Sequence, residues 1–259
     1  RLMLTVHPSI VLPPESHFFL WLKDKYSNWN KDNNLDSFID DLFQSTKFET
    51  WAIEKKELKN YLLKNIPKTY AELISSIYIL YGLKRKERFV YWGDKNSLWI
   101  EKLDDILDVY PNAFFIHIVR DGRDVACSYR GIMKKNLKHI KYAPCLPTRI
   151  PEIAEIWSKN VLTVDRYLNK IKRNKKITIK FEDLVSNNAK WISKILALLN
   201  LDMHEDCLNY YKKEVFFDYE PKNFKHWKEK IKEPPDTTII GKHKTLLSDE
   251  EIKTFNNTG

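Results

Sequence analysis

The chain has 259 residues, of which 43% are hydrophobic and 13% aromatic, and it carries a net charge of +9 at neutral pH. That is enough apolar material for a real core, most economically in one domain, and no apolar run approaches the ~20 residues that cross a bilayer. Cys127, Cys145 and Cys207 lack metal-ligand spacing, and their odd number argues against a disulfide framework. The charge calls for an anionic partner. Nucleic acid is not the expected one, because the lysines are spread along helices and not interleaved with aromatics in a stripe.

Arg1 to Val6 has the apolar spacing of a helix tail without a start signal, and His7-Pro8-Ser9 ends it. Ile10 to Leu12 is a brief strand candidate, followed by Pro13, Pro14 and Glu15. A carboxylate at the carboxyl end of a strand is well placed to act as a general base; capping a helix that starts near Ser16 is the other role open to Glu15. His17 is the second candidate base, since imidazole titrates near neutrality. Lys23 to Arg88 is mostly helical, with a loop from Ser27 to Asn34 and apolar residues such as Phe38, Leu42, Leu58 and Leu62 at helical spacing. Ala71 to Leu83 is a further helix, ended by Gly82.

Arg88 to Trp92 is β-branched and aromatic, hence a strand, with Gly93-Asp94-Lys95-Asn96 at its carboxyl end. Lys95 is either a surface lysine paired with Asp94 or a functional cation. A helix from Leu98 to Val109 leads to the most informative stretch, Pro111 to Arg130. There Ala113 to Val119 reads as a strand buried on both faces of a parallel sheet, stopping at Arg120. Asp121, Gly122, Arg123 and Asp124 supply turn chemistry and an N-cap, and a helix follows over Val125 to Met133 with Ser128 about one turn inside. Open α/β sheets bind ligands at the carboxyl ends of their strands, and helix N-termini attract phosphate. Arg120, Ser128 and the helix amides thus compose an anion site, unless Arg120 and Arg123 merely pair with Asp121 and Asp124.

Lys134 to Pro151 is a basic loop, and Pro151 to Asn174 returns to helix with Trp157 on its apolar face. Lys176 to Phe181 alternates as a strand; Glu182 and Asp183 behind it orient a neighbouring arginine or cap the next helix. Ala189 to Asn200 is an amphipathic core helix, and Glu214 to Pro235 is less regular. Gly241, Lys242, His243 and Lys244 form a glycine loop with two ammonium groups, and Ser248 with Glu251 makes a capping box for a final helix.

Five segments in order, HPSIVLPPE, YWGDK, RDGRDVACS, KFEDL and IGKHK, resemble the sulfotransferases that use 3′-phosphoadenosine 5′-phosphosulfate (PAPS), in the tyrosylprotein and heparan-sulfate branch. The family form R-D-P-R-D has Gly122 here for the proline, which loosens the turn. G-D-K-T-P has Asn96 and Ser97 in its last two places, and His243 stands where tryptophan is usual. The resemblance implies that Arg120 and Ser128 hold the 3′-phosphate of the donor, with Gly241, Lys242 and Lys244 as a second clamp. It also implies Glu15 as the catalytic base and Lys95 beside the transferring sulfuryl group, with no metal required. The family's P-x-[RK]-[ST]-G-T-[ST] loop, which cradles the 5′-phosphosulfate, does not occur in the chain.

The expected fold is therefore α/β, a P-loop-nucleotide-hydrolase-like parallel sheet flanked by helices, lacking the first strand and phosphate loop. It would be a single sulfotransferase-like domain over 1–259, a fragment cut before Arg1 and after Gly259, with a helical acceptor-side insertion at about 23–85. The expected reaction is sulfuryl transfer from PAPS to an acceptor hydroxyl or amine on a carbohydrate, peptide or small molecule, with these residues alone inactive. A nucleotide kinase of the same fold and a basic nucleic-acid-binding module are the alternatives. A cytoplasmic location is expected, or the secretory-pathway lumen if an anchor precedes Arg1.

Overall fold

The computed structural model describes residues 1–30, 34–137, 139–213, 226–228 and 233–259. Most of the irregular stretch from Glu214 to Pro235 therefore lies outside the described residues, as do positions 31–33 and 138 of the two expected loops. The chain divides into two units, one formed by Arg1–Ala113 with His204–Pro221 and the other by Phe114–Met203 with Lys222–Gly259.

In the first unit, α1 (Leu2–Thr5) ends at the His7-Pro8 turn and β1 (Ile10–Val11) follows. β1 pairs in parallel with β2 (Tyr91–Trp92), Ile10 opposite Tyr91 and Val11 opposite Trp92. The strand expected from Arg88 is thus only its last two residues. The amides of Val90 and Tyr91 both donate to the Ser9 carbonyl, at 2.9 Å each, so the regular ladder begins at Tyr91.

Helices α2 (Phe18–Trp21), α3 (Lys23–Tyr26), α4 (Leu35–Gln44), α5 (Lys55–Asn65) and α6 (Tyr70–Leu83) intervene between these strands. Their starts follow capping chemistry: Asn34 accepts from the Ser37 amide, Thr69 from the Glu72 amide, and Glu54 with Glu57 forms a capping box. The apolar faces of α4 and α5 bury Phe38, Ile39, Leu42, Leu58 and Leu62, as their spacing predicts. The helix expected at Leu98–Val109 is split into a 3₁₀ turn, Ser97–Lys102, and α7 (Leu103–Val109). Asn96 accepts from the Leu98 amide and Trp99 donates to Asp94, which tightens that first turn.

The core of this unit is aromatic. Trp51 is fully buried, edge-on to Phe18 at 5.2 Å and to Tyr78 at 5.0 Å, and Tyr78 stacks on Trp92 at 4.1 Å. Offset and edge-to-face rings add to the burial of their large surfaces. The Trp51 indole also donates to the Pro14 carbonyl at 3.0 Å, pinning the segment that leaves β1.

In the second unit, β3 (Phe115–Val119) pairs in parallel with β4 (Lys176–Lys180), from Phe115 opposite Lys176 to Val119 opposite Lys180. Between them lie α8 (Gly122–Met133) and α9 (Ile150–Asn169), whose Pro151 sits in the first turn, where its missing amide costs nothing. α10 (Phe181–Ser186) and α11 (Asn188–Leu198) follow β4, and α12 (His243–Leu246) and α13 (Asp249–Thr258) end the chain. The capping box of α13 forms as read, Ser248 and Glu251 each accepting from the other's amide.

Three expectations need correction here. β3 is not buried on both faces: Phe115 meets Tyr167 of α9, while Ile118, on the opposite face, is 44% exposed. α8 begins at Gly122 and not at Val125, because the Asp121 side chain caps it by accepting from the Arg123 amide at 2.9 Å. Gly122 is also not a loosening element. A Cβ there would fall 2.4 Å from Phe255 and 2.6 Å from Trp157, so the residue is required by the close approach of two rings.

Candidate functional site

Two groups of the expected residues are organised, one within each unit. In the first, parallel pairing puts the carboxyl ends of β1 and β2 side by side, with Glu15 shortly beyond Val11 and Lys95 shortly beyond Trp92. The side chains meet: Lys95 Nζ donates to Glu15 Oε1 at 2.5 Å. A second lysine, Lys47, donates to Oε2 at 3.0 Å. Sequence reasoning did not single out Lys47, which has a left-handed backbone at φ 68° between α4 and the Phe48–Trp51 turn. Its position is fixed next door, where Thr46 accepts from the His17 amide at 3.2 Å. Nothing in the local sequence distinguishes Lys47 from the other lysines of this helical region.

Glu15 does not cap a helix. His17 occupies the N-cap position of α2, and both Glu15 oxygens are taken by ammonium groups. Burial pushes the Glu15 carboxyl up, but Lys95 and then Lys47 outweigh it and hold the group at about 2. Lys95 does not pair with Asp94 either. Asp94 Oδ2 accepts from Tyr78 at 2.7 Å and from Trp99 at 3.1 Å, and burial pushes this carboxyl up to about 6. His17 lies edge-on to Trp21 at 5.0 Å, and its buried Nδ1 has no hydrogen-bond partner among the described residues. Burial lowers its pKa, Lys47 lowers it further, and Glu15 opposes, so the ring favours the neutral form.

In the second unit, Arg120 leaves the end of β3 and α8 starts two residues later. Of the charge pairs that would have absorbed the motif, only one forms: Arg123 grips Asp121 through Nε at 3.0 Å and Nη2 at 2.6 Å. Arg120 instead donates Nη2 to the Ile239 carbonyl at 3.1 Å and lies over the Phe181 ring at 4.8 Å. Its Nε is buried without an acceptor among the described residues. A buried guanidinium N–H in want of an acceptor, at a strand end and before a helix, fits an anion. Glu182 orients no arginine; it accepts from the Asp121 amide at 2.9 Å and so holds the turn.

Ser128 is half-buried on α8, one turn beyond Asp124. Asp124 was expected to share in turn chemistry, and sequence reasoning missed its actual partners, Gly241 and His243, which lie far along the chain. Gly241 has φ 73°, a conformation that favours glycine, and α12 begins two residues on. A Cβ at Gly241 would lie 3.8 Å from Lys244 Cε, so the Lys244 side chain folds back over the turn; Lys242 is half-buried beside it. No group of His, Cys, Asp and Glu suited to a metal occurs among the described residues, nor any helix long and apolar enough to cross a membrane.

Compared with known proteins, residues 1–206 match the family model described as the Sulfotransferase family. No curated protein matches the chain by sequence. Two similar solved structures are a sulfotransferase domain from the curacin biosynthetic pathway and one from the olefin synthase of Synechococcus PCC 7002. The first is 18% identical with a TM-score of 0.58, over 99% of this chain and 90% of that one. The second is 17% identical with a TM-score of 0.60, over 99% and 87%. At this identity the likeness establishes the fold, a P-loop-like arrangement of parallel strands flanked by helices.

Proposed function

Since this chain belongs to the sulfotransferase family, we propose that it transfers a sulfuryl group from PAPS to a hydroxyl or amine of a carbohydrate, peptide or small molecule. The observation that carries the reading is the contact between Glu15 and Lys95. A carboxylate suited to take a proton and an ammonium suited to stabilise a sulfuryl group come from positions 80 residues apart and meet at 2.5 Å.

PAPS supplies a sulfuryl group on a good leaving group, the 5′-phosphate of adenosine 3′,5′-bisphosphate. Glu15 takes the proton from the acceptor oxygen or nitrogen as that atom bonds to sulfur. The bridging S–O bond breaks, and its electron pair stays on the departing phosphate. Lys95 stabilises the negative charge on the sulfuryl oxygens, an electrostatic effect strongest where water is excluded. Arg120 and Ser128 hold the 3′-phosphate, with Gly241, Lys242 and Lys244 closing on it. Positioning and charge supply most of the catalysis, as in in-line phosphoryl transfer.

Held at about 2, Glu15 is too weak a base while both lysines are on it. Drawing Lys95 toward the sulfuryl oxygens removes one of those counter-charges, and burial then raises the carboxyl. Donor binding thereby prepares the base. The test is Glu15→Gln, which keeps the shape and removes the base. Turnover is expected to fall ~100-fold or more with donor affinity retained. Normal turnover in this variant, with loss in His17→Ala, would assign the proton to the imidazole instead.

A further inference from the structure

Asp124 is 1% exposed. Its Oδ2 accepts from the Gly241 amide at 2.7 Å, and its Oδ1 from the His243 amide at 2.9 Å and His243 Nδ1 at 2.8 Å. An ionised carboxylate only accepts, so the imidazole carries its hydrogen on Nδ1. These bonds join positions 117 and 119 residues apart. They are not needed to start the helix, because Asp121 is the cap of α8.

We propose that Asp124 is the positioning residue of the donor site: it latches the Gly241–Lys244 loop onto α8 so that Lys242 and Lys244 close on the donor's 3′-phosphate. This rests on the reading of Arg120 and Ser128 as ligands of that phosphate. Asp124 and Ser128 stand four residues apart on α8 and so share one face. The loop held by Asp124 is therefore anchored on the same face of α8 as Ser128. Upstream, the same segment is tied at Ile239 by Arg120 itself. The loop is thus fixed at two points, one on each side of the turn at Gly241, and the arginine that ties one of them keeps a buried N–H to offer. A loop fixed before the ligand arrives loses less freedom on binding it.

The test uses the full chain with Asp124→Asn, which keeps the volume but has one accepting oxygen. It cannot accept from the Gly241 and His243 amides on opposite oxygens, and it releases one side of the loop. Calorimetry would measure adenosine 3′,5′-bisphosphate and 5′-AMP separately. The variant is expected to bind the bisphosphate about 10-fold more weakly, the size of a lost hydrogen-bonded contact, with 5′-AMP affinity unchanged. A general loosening of the fold would weaken both. Asp124→Asn combined with Lys244→Ala is expected to be less than additive, since both act through one loop. Should Asp124→Asn not fold, His243→Ala removes the ring contact alone and carries the test, with a smaller shift in the same direction. A wild type that binds both nucleotides equally overturns the donor reading and the latch with it. A wild type that prefers the bisphosphate, beside a folded variant that keeps the full preference, overturns the latch alone.

Discussion

Lys47 Nζ lies 3.0 Å from Glu15 Oε2, on the carboxylate oxygen opposite the one bonded to Lys95. The side chains of Glu15 and Lys47 are 19% and 16% exposed, whereas that of Lys95 is 59% exposed. Lys47 is therefore the fixed counter-charge, and Lys95 is the one free to turn toward a ligand. Replacing Lys47 with Met removes one of the two lowering influences and leaves burial, which raises. The Glu15 carboxyl should then titrate at least about one unit above its value of about 2. A ¹³C titration of that carboxyl checks this, and an unchanged midpoint would remove Lys47 from the account.

Asp94 gives a pH dependence of opposite sign. Burial raises its carboxyl from 3.8 to about 6, so between those values the folded state binds more protons than the unfolded one. The raised group favours folding below pH 3.8, and that advantage is lost as pH climbs through 6. At about 1.4 kcal/mol per unit, the swing is about 3 kcal/mol. Asp94→Asn cannot ionise, yet its oxygen can still accept from Tyr78 and Trp99. Its stability relative to the wild type should rise between pH 4 and pH 7 in denaturant titrations. A constant difference over that range would show that Asp94 ionises normally.

Gly122→Ala tests the packing at the start of α8. The added methyl meets the Phe255 and Trp157 rings well inside contact distance, and Trp157 also donates to the Arg120 carbonyl at 2.9 Å. Overpacking of this kind costs about 1–3 kcal/mol. The melting temperature should fall by several degrees, and the nucleotide preference should weaken as Trp157 is pushed off Arg120. An unchanged melting temperature would mean that the rings move aside freely.

Much of the fold was legible because it rests on local chemistry. The KITIK alternation gave β4, the Ser248–Glu251 pair gave the start of α13, and the apolar run before Arg120 gave β3. Boundaries slipped where one side chain decides them, as at Asp121, whose cap moves the start of α8 three residues forward. Burial of β3 was misjudged because an apolar run does not say what covers each face; Ile118 is the case in point. Lys47, which sequence reasoning passed over, and Asp124, whose partners it missed, act on groups 32 and 117 positions away. Such pairs carry no periodicity and no motif, and only the folded chain shows them. The tie from Arg120 to Ile239 belongs with them.

The central claim is that Arg120 reads a 3′-phosphate, and one calorimetric comparison tests it without knowledge of the acceptor. The wild type should bind adenosine 3′,5′-bisphosphate at least about 10-fold more tightly than 5′-AMP, because a charge-assisted contact contributes about 1.5–3 kcal/mol. Arg120→Ala should bring the two affinities together while leaving that for 5′-AMP nearly unchanged. Equal binding of the two nucleotides by the wild type would contradict the account.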